Sequence, residues 1–243
     1  MTKKQDAEGS KPVTHVAIVL DRSGSMASCR AETISGFNAQ VQKITGKTKA
    51  DGTADSTLIT LVLFNHEVEF VHFASPVDNL KEIAAEQYVP NGTTAMLDAV
   101  GLTLKRFEKK VKDSDDTRYL VIIISDGEEN ESKEFTYERI AEMIQKRQQT
   151  GRWTFSYMGA NQDLSDLSKR LSIPKSNMAT YTSSPSGTMI GFSSLSKSTM
   201  GFLDKQSKGT ATSEKFFRNE DEIQSVDDAD DSSGKKGGGP LLH

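Results

Sequence analysis

Residues 14–25 read THVAIVLDRSGS. The apolar run from Val16 to Leu20 stops at Asp21, and Ser23 and Ser25 follow at alternate positions around Gly24. A short run rich in β-branched residues, with no polar alternation, reads as a strand buried on both faces. Residues 119–124, YLVIII, repeat that pattern. Strands covered on both faces belong to parallel sheets, which need helices above and below.

The rest of the chain supplies those helices. Ile34, Phe37, Val41 and Ile44 recur at helical spacing, as do Leu97, Val100, Leu104 and Val111. Further stripes are Ile140, Met143 and Ile144, then Leu164, Leu167 and Leu171, then Phe192, Leu195 and Phe202. Each stripe reads as a core-facing helix side. Leu58 to Phe73 reads as a hairpin turning near Asn65 and His66, with further strands at 153–161 and 177–182. Strands alternating with helices predict an α/β fold, a doubly wound and mostly parallel sheet with one antiparallel edge strand and helices on both faces.

Residues 1–12 are polar and are expected to be a disordered lead-in, and residues 13–207 a single domain. Residues 208–243 are expected to be a disordered acidic tail, since Glu220 to Asp231 carries no base. The formal net charge is −4, from 30 Lys and Arg against 34 Asp and Glu, which argues against a nucleic-acid binder. The basic cluster Lys105–Lys112 fits a solvated helix C-terminus. The single cysteine, Cys29, excludes a disulfide within the chain. No apolar segment reads as a signal peptide or a membrane span, so the expected address is cytoplasmic.

Open α/β sheets bind ligands at the carboxyl ends of their parallel strands. Asp21, Ser23 and Ser25 follow the first strand, and Asp126 follows the most apolar one. Thr93 and Thr94 precede the second helical stripe. These are all oxygen donors, with neither His nor Cys among them. Hard oxygen ligands carrying little charge suit Mg²⁺, with Mn²⁺ or Ca²⁺ as alternatives. Neutral hydroxyls leave much of such a cation's charge uncompensated, so it would accept a carboxylate from outside. Taken singly, Ser25, Thr93 and Thr94 read equally well as helix caps, and Asp126 as a turn former. The acids Glu128, Glu129 and Glu131 read as a solvated first turn of a helix.

The segment DRSGS resembles the D-x-S-x-S motif of von Willebrand factor type A domains. NGTTAMLDAV is similar to their threonine segment, and IIISDGEEN to their second aspartate loop. The resemblance spans roughly residues 13–205 and three motifs in order. It implies a metal-ion-dependent adhesion site, with Asp21, Ser23, Ser25 and Asp126 as ligands, directly or through water. Thr94 is preferred over Thr93, because Ala99 and Val100 then fall at the family's helix positions. The resemblance is nearest to compact intracellular bacterial and phage members. It implies a non-catalytic module whose cation coordinates an Asp or Glu of a partner protein, without nucleic acid or membrane.

The alternative is a Mg²⁺-dependent hydrolase acting on a phosphate or acyl group at the same rim. A phosphatase of the haloacid dehalogenase type needs an acid two residues after its first aspartate, where Ser23 stands. His15 begins the strand that Asp21 ends, about 20 Å away at about 3.3 Å per residue. His66 and His72 belong to the hairpin, and neither glycine-rich nucleotide fingerprint is present.

Overall fold

The computed structural model describes residues 12–112, 114–207 and 215–217. Six strands form one sheet in the order β3-β2-β1-β4-β5-β6. They are β1 (Val13–Asp21), β2 (Thr57–Phe64), β3 (Val68–Pro76), β4 (Thr117–Ser125), β5 (Trp153–Ala160) and β6 (Met178–Tyr181). Only β3 runs antiparallel, paired to β2 at the edge. The other pairings are parallel. This is the doubly wound, mostly parallel sheet expected from the sequence.

Side chains alternate across a strand, so β1 feeds two cores. Val16, Ile18 and Leu20 join the core under α1 (Arg30–Ala50) and α5 (Pro185–Ser207). Ala17 and Val19 join the core under α2 (Met96–Lys110) and α3 (Tyr137–Gln148), where Leu171 of α4 (Leu164–Leu171) also packs. Small residues set the close approaches. A Cβ on Gly36 of α1 would lie 2.4 Å from the Phe192 ring of α5. Between these helices Gln40 Nε2 donates to Thr199 Oγ1 at 2.8 Å, and Ser196 Oγ donates to Gln40 Oε1 at 2.6 Å. Each buried polar group is thereby satisfied.

Several local expectations are revised. The segment after Ser23 is a 3-10 turn, Gly24–Cys29, and α1 begins only at Arg30. The acids Glu128, Glu129 and Glu131 lie in a loop, since α3 starts at Tyr137 behind its cap Thr136. Val111 falls just beyond α2. The expected lead-in up to residue 11 and the acidic run Glu220–Asp231 lie outside the described residues. Within the expected tail, Phe216 and Phe217 are buried against the α1–α5 core. Phe216 N–H donates to Asn177 Oδ1 at 2.8 Å, and Phe217 N–H to the Ser176 carbonyl at 3.1 Å. No helix among the described residues is long and apolar enough to cross a membrane.

Candidate metal centre

The chain order reverses direction between β1 and β4, which pair in parallel from Val13–Thr117 to Leu20–Ile124. Connections from these two strands leave to opposite sides, so their carboxyl ends open a crevice. Asp21 ends β1 and Ser125 ends β4 on its rim. Ser125 Oγ donates to Asp21 Oδ2 at 2.5 Å, and Ser23 N–H donates to Asp21 Oδ1 at 2.6 Å. Ser23 Oγ and Ser25 Oγ are 3.0 Å apart. Ser25 Oγ donates to Asp126 Oδ1 at 2.6 Å.

Gly127 locates the point on which these groups converge. A Cβ built there would lie 3.1 Å from Thr94 Oγ1, 3.4 Å from Ser25 Oγ and 4.0 Å from Ser23 Oγ. Hydroxyls from the β1 and α2 loops thus surround one space, and the β4 loop leaves it open by carrying no side chain. Thr94 is buried, whereas Thr93 is exposed. None of Ser25, Thr93 and Thr94 is a helix cap: Ser23 precedes the 3-10 turn, Cys29 precedes α1 and Ala95 precedes α2.

The donor set fits a hard divalent cation. Neighbouring ligands of an octahedral Mg²⁺ at about 2.1 Å lie about 3.0 Å apart, the spacing of the Ser23 and Ser25 hydroxyls. Among the described residues no group of three or more His, Cys, Asp or Glu side chains is placed to hold a metal. The two carboxylates and three hydroxyls are therefore an oxygen set of low charge. Burial pushes the Asp21 carboxyl up to about 6, against the bonds from Ser125 and Ser23. Burial also raises Asp126, against its bond from Ser25. A buried anion held above its usual range is one that a cation would relieve.

A family model for the von Willebrand factor type A domain matches residues 15–194. The chain belongs to that family. Von Willebrand factor type A domains are typically protein-interaction modules with a divalent-metal site. Among solved structures, manganese-loaded TRAP protein of Plasmodium vivax is similar at 18% identity and a TM-score of 0.51, covering 74% of this chain and 72% of that one. A von Willebrand factor type A protein of Catenulispora acidiphila is similar at 18% identity and 0.53, covering 79% of this chain and 43% of that one. The PilB minor pilin of Streptococcus sanguinis gives 12% and 0.55, covering 80% and 63%. Such likenesses speak to the fold alone. No curated protein matches the chain.

Several residues that support the centre of this von Willebrand factor type A domain have no ligand role in the three motifs. Tyr88 hydroxyl donates to the Asp21 carbonyl at 2.5 Å. Asn130 clamps the threonine loop twice: Thr94 N–H donates to its Oδ1 at 2.9 Å, and its own N–H donates to the Thr94 carbonyl at 3.1 Å. Glu129 Oε2 accepts the Leu97 N–H at 2.9 Å and so caps α2 from another loop. Glu129 is thus not a solvated acid in the first turn of its own helix: the acid's preference for a helix N-terminus holds, but the helix is α2. His66 stands on this rim too, against Gly92, where a Cβ would lie 2.2 Å from its Nδ1. A groove of about 620 Å³ continues from Ser25 and Asp126, walled by Glu128, Asp163, Asp166 and Arg170.

Proposed function

We propose that this domain binds a partner protein through a divalent cation held by Asp21, Ser23, Ser25, Thr94 and Asp126, with Mg²⁺ the expected ion. The observation that carries the reading is the convergence of three hydroxyls around Gly127, beside the buried Asp21 carboxyl and the half-buried Asp126 carboxyl. When bound, the cation supplies a Lewis-acid position to which a carboxylate can attach. The chain's own part is to fix the oxygens before the cation arrives. Ser125 and Ser23 N–H orient Asp21, Asn130 holds Thr94, and Ser25 meets Asp126. Three neutral ligands and two anions leave room for one more anionic oxygen, and the partner's Asp or Glu is its source.

The proposal is for a non-catalytic module. Among the described residues His66 makes no hydrogen bond to the five candidate ligands, which agrees with a binding role for this rim. Isothermal titration of Mg²⁺ and Mn²⁺ into chelated protein tests the reading beside Asp21→Ala. Saturable binding in the wild type and its loss in a folded variant support it. Absence of binding overturns it, and turnover of simple phosphoesters would replace it with the hydrolase reading.

A further inference from the structure

We propose that Gln162 is a positioning residue that holds the Asp126 loop in the geometry the cation needs, anchored from below by Tyr157. The inference rests on the proposed metal centre. It starts from the Gly127 carbonyl, which follows Asp126 directly. Two groups approach that oxygen: Gln162 Nε2 at 2.8 Å and Ser125 Oγ at 3.2 Å. Ser125 has one hydroxyl hydrogen, and its 2.5 Å bond to Asp21 takes it. The Gly127 N–H donates back to Ser125 Oγ at 3.3 Å. Gln162 is therefore the effective donor to the Gly127 carbonyl.

The side chain of Gln162 is itself oriented. Tyr157 is fully buried and its hydroxyl donates to Gln162 Oε1. With the amide oxygen turned to Tyr157, the amide nitrogen must face the Gly127 carbonyl. The reverse orientation would set two oxygens against each other. Gly159 makes room for the arrangement: a Cβ there would lie 2.6 Å from Tyr157 Cε1 and 2.9 Å from Gln162 Oε1. A chain of bonds thus runs from the floor of β5 through Gln162 and Gly127 to Ser125 and Asp21. It fixes the height of the loop over the space ringed by Thr94, Ser25 and Ser23.

The test uses Gln162→Met, which keeps length and loses both bonds, Tyr157→Phe, and the double variant. Titration with Mg²⁺ is expected to show affinity reduced about three- to tenfold in Gln162→Met, the worth of one hydrogen bond. Tyr157→Phe should lose less, and the double variant no more than Gln162→Met, since Tyr157 acts through Gln162. Amide exchange at Gly127 and Glu128, followed by NMR in chelator, should quicken at least threefold in Gln162→Met. Unchanged exchange, unchanged affinity in Gln162→Met, or additive losses in the double variant would each overturn the proposal. If the wild type binds no metal while exchange still quickens, the positioning role stands and the proposed function falls.

Discussion

Ser25 Oγ donates to Asp126 Oδ1 at 2.6 Å, across 101 positions of sequence. One hydroxyl hydrogen thus joins the loop after β1 to the loop after β4. Were both oxygens to hold the proposed cation, that hydrogen would have to turn away from Asp126. Asp126→Asn keeps an acceptor for Ser25 but removes the charge. Its affinity for Mg²⁺ is expected to fall at least about a hundredfold, since even outer-shell losses reach that scale. Thermal unfolding in chelator should change little. Calorimetric titration and a melting curve on the same sample check both halves.

Two buried groups give the metal-free domain opposing acid responses. Asp21 is raised from 3.8 to about 6 by burial. Its contribution is present below pH 3.8 and is lost as pH rises to about 6. His15 is lowered from 6.5 to about 4 by burial, with Nδ1 unpartnered among the described residues and its ring stacked on Tyr119. Its contribution is present above pH 6.5 and is lost as pH falls to about 4. Each amounts to about 3 kcal/mol, so the two nearly cancel between pH 4 and 6. Removing either group exposes the other. His15→Phe should become less stable as pH rises through this window, and Asp21→Asn more stable. Urea unfolding at half-unit pH intervals reads the slopes; parallel curves for the two variants would contradict the assignment.

Cation binding should act on the same account. At a hundred times its dissociation constant, a ligand specific to the folded state stabilises it by about 2.7 kcal/mol. Mg²⁺ is expected to raise the melting temperature at pH 7.5, where Asp21 is ionised. The gain should shrink by pH 5, where a proton occupies the carboxyl. Melting curves with Mg²⁺ and with chelator at both pH values measure it.

Glycine substitutions separate the site from the scaffold. A Cβ on Gly127 meets Thr94 Oγ1 at 3.1 Å in a half-exposed loop. Gly127→Ala is expected to weaken Mg²⁺ binding while leaving stability within about 1 kcal/mol. A Cβ on Gly101 would lie 2.5 Å from the buried Phe135 ring. Gly101→Ala should therefore cost about 1–3 kcal/mol by overpacking. Its metal affinity should be preserved, because the clash lies in the α2 packing. Denaturant midpoints and titration together distinguish the two.

What was legible in the sequence follows from what is local. The runs at Val16–Leu20 and Tyr119–Ile124 name their own environment, and Asp21, Ser23 and Ser25 sit within one turn of each other. The residues that complete the centre are harder to assign: Ser125 and Asn130 lie inside the IIISDGEEN segment without a role that its spacing reveals, and Gln162 lies outside every motif. Ser125, Asn130 and Gln162 are ordinary polar residues whose partners lie 104, 36 and 35 positions away. Only the register of β1 against β4, with Leu20 beside Ile124, brings Ser125 to Asp21. The choice of Thr94 over Thr93 as the residue facing the site depends likewise on which hydroxyl the loop turns inward. Glu129 illustrates the limit differently: its charge called for a helix N-terminus, but sequence adjacency pointed to the wrong helix.

Phe216 and Phe217 read as tail residues in the sequence because two apolar residues in a polar stretch carry no periodicity. In the fold both rings are buried, packed edge to face at 5.0 Å, and their backbone amides are held by Asn177 and Ser176. They belong to the core that α1 and α5 cover. Truncating a buried phenylalanine costs about 3–5 kcal/mol in a well-packed core, and less where the segment can detach as a unit. Phe217→Ala is therefore expected to lower stability by about 2–3 kcal/mol. Phe216→Ala should act similarly, and the double variant should cost less than the two together, because losing one ring already releases the other. A chain ended after Thr212 should match the double variant in a urea titration. If instead both single variants and the truncation unfold with the wild-type midpoint, the two rings contribute nothing and the domain ends with α5.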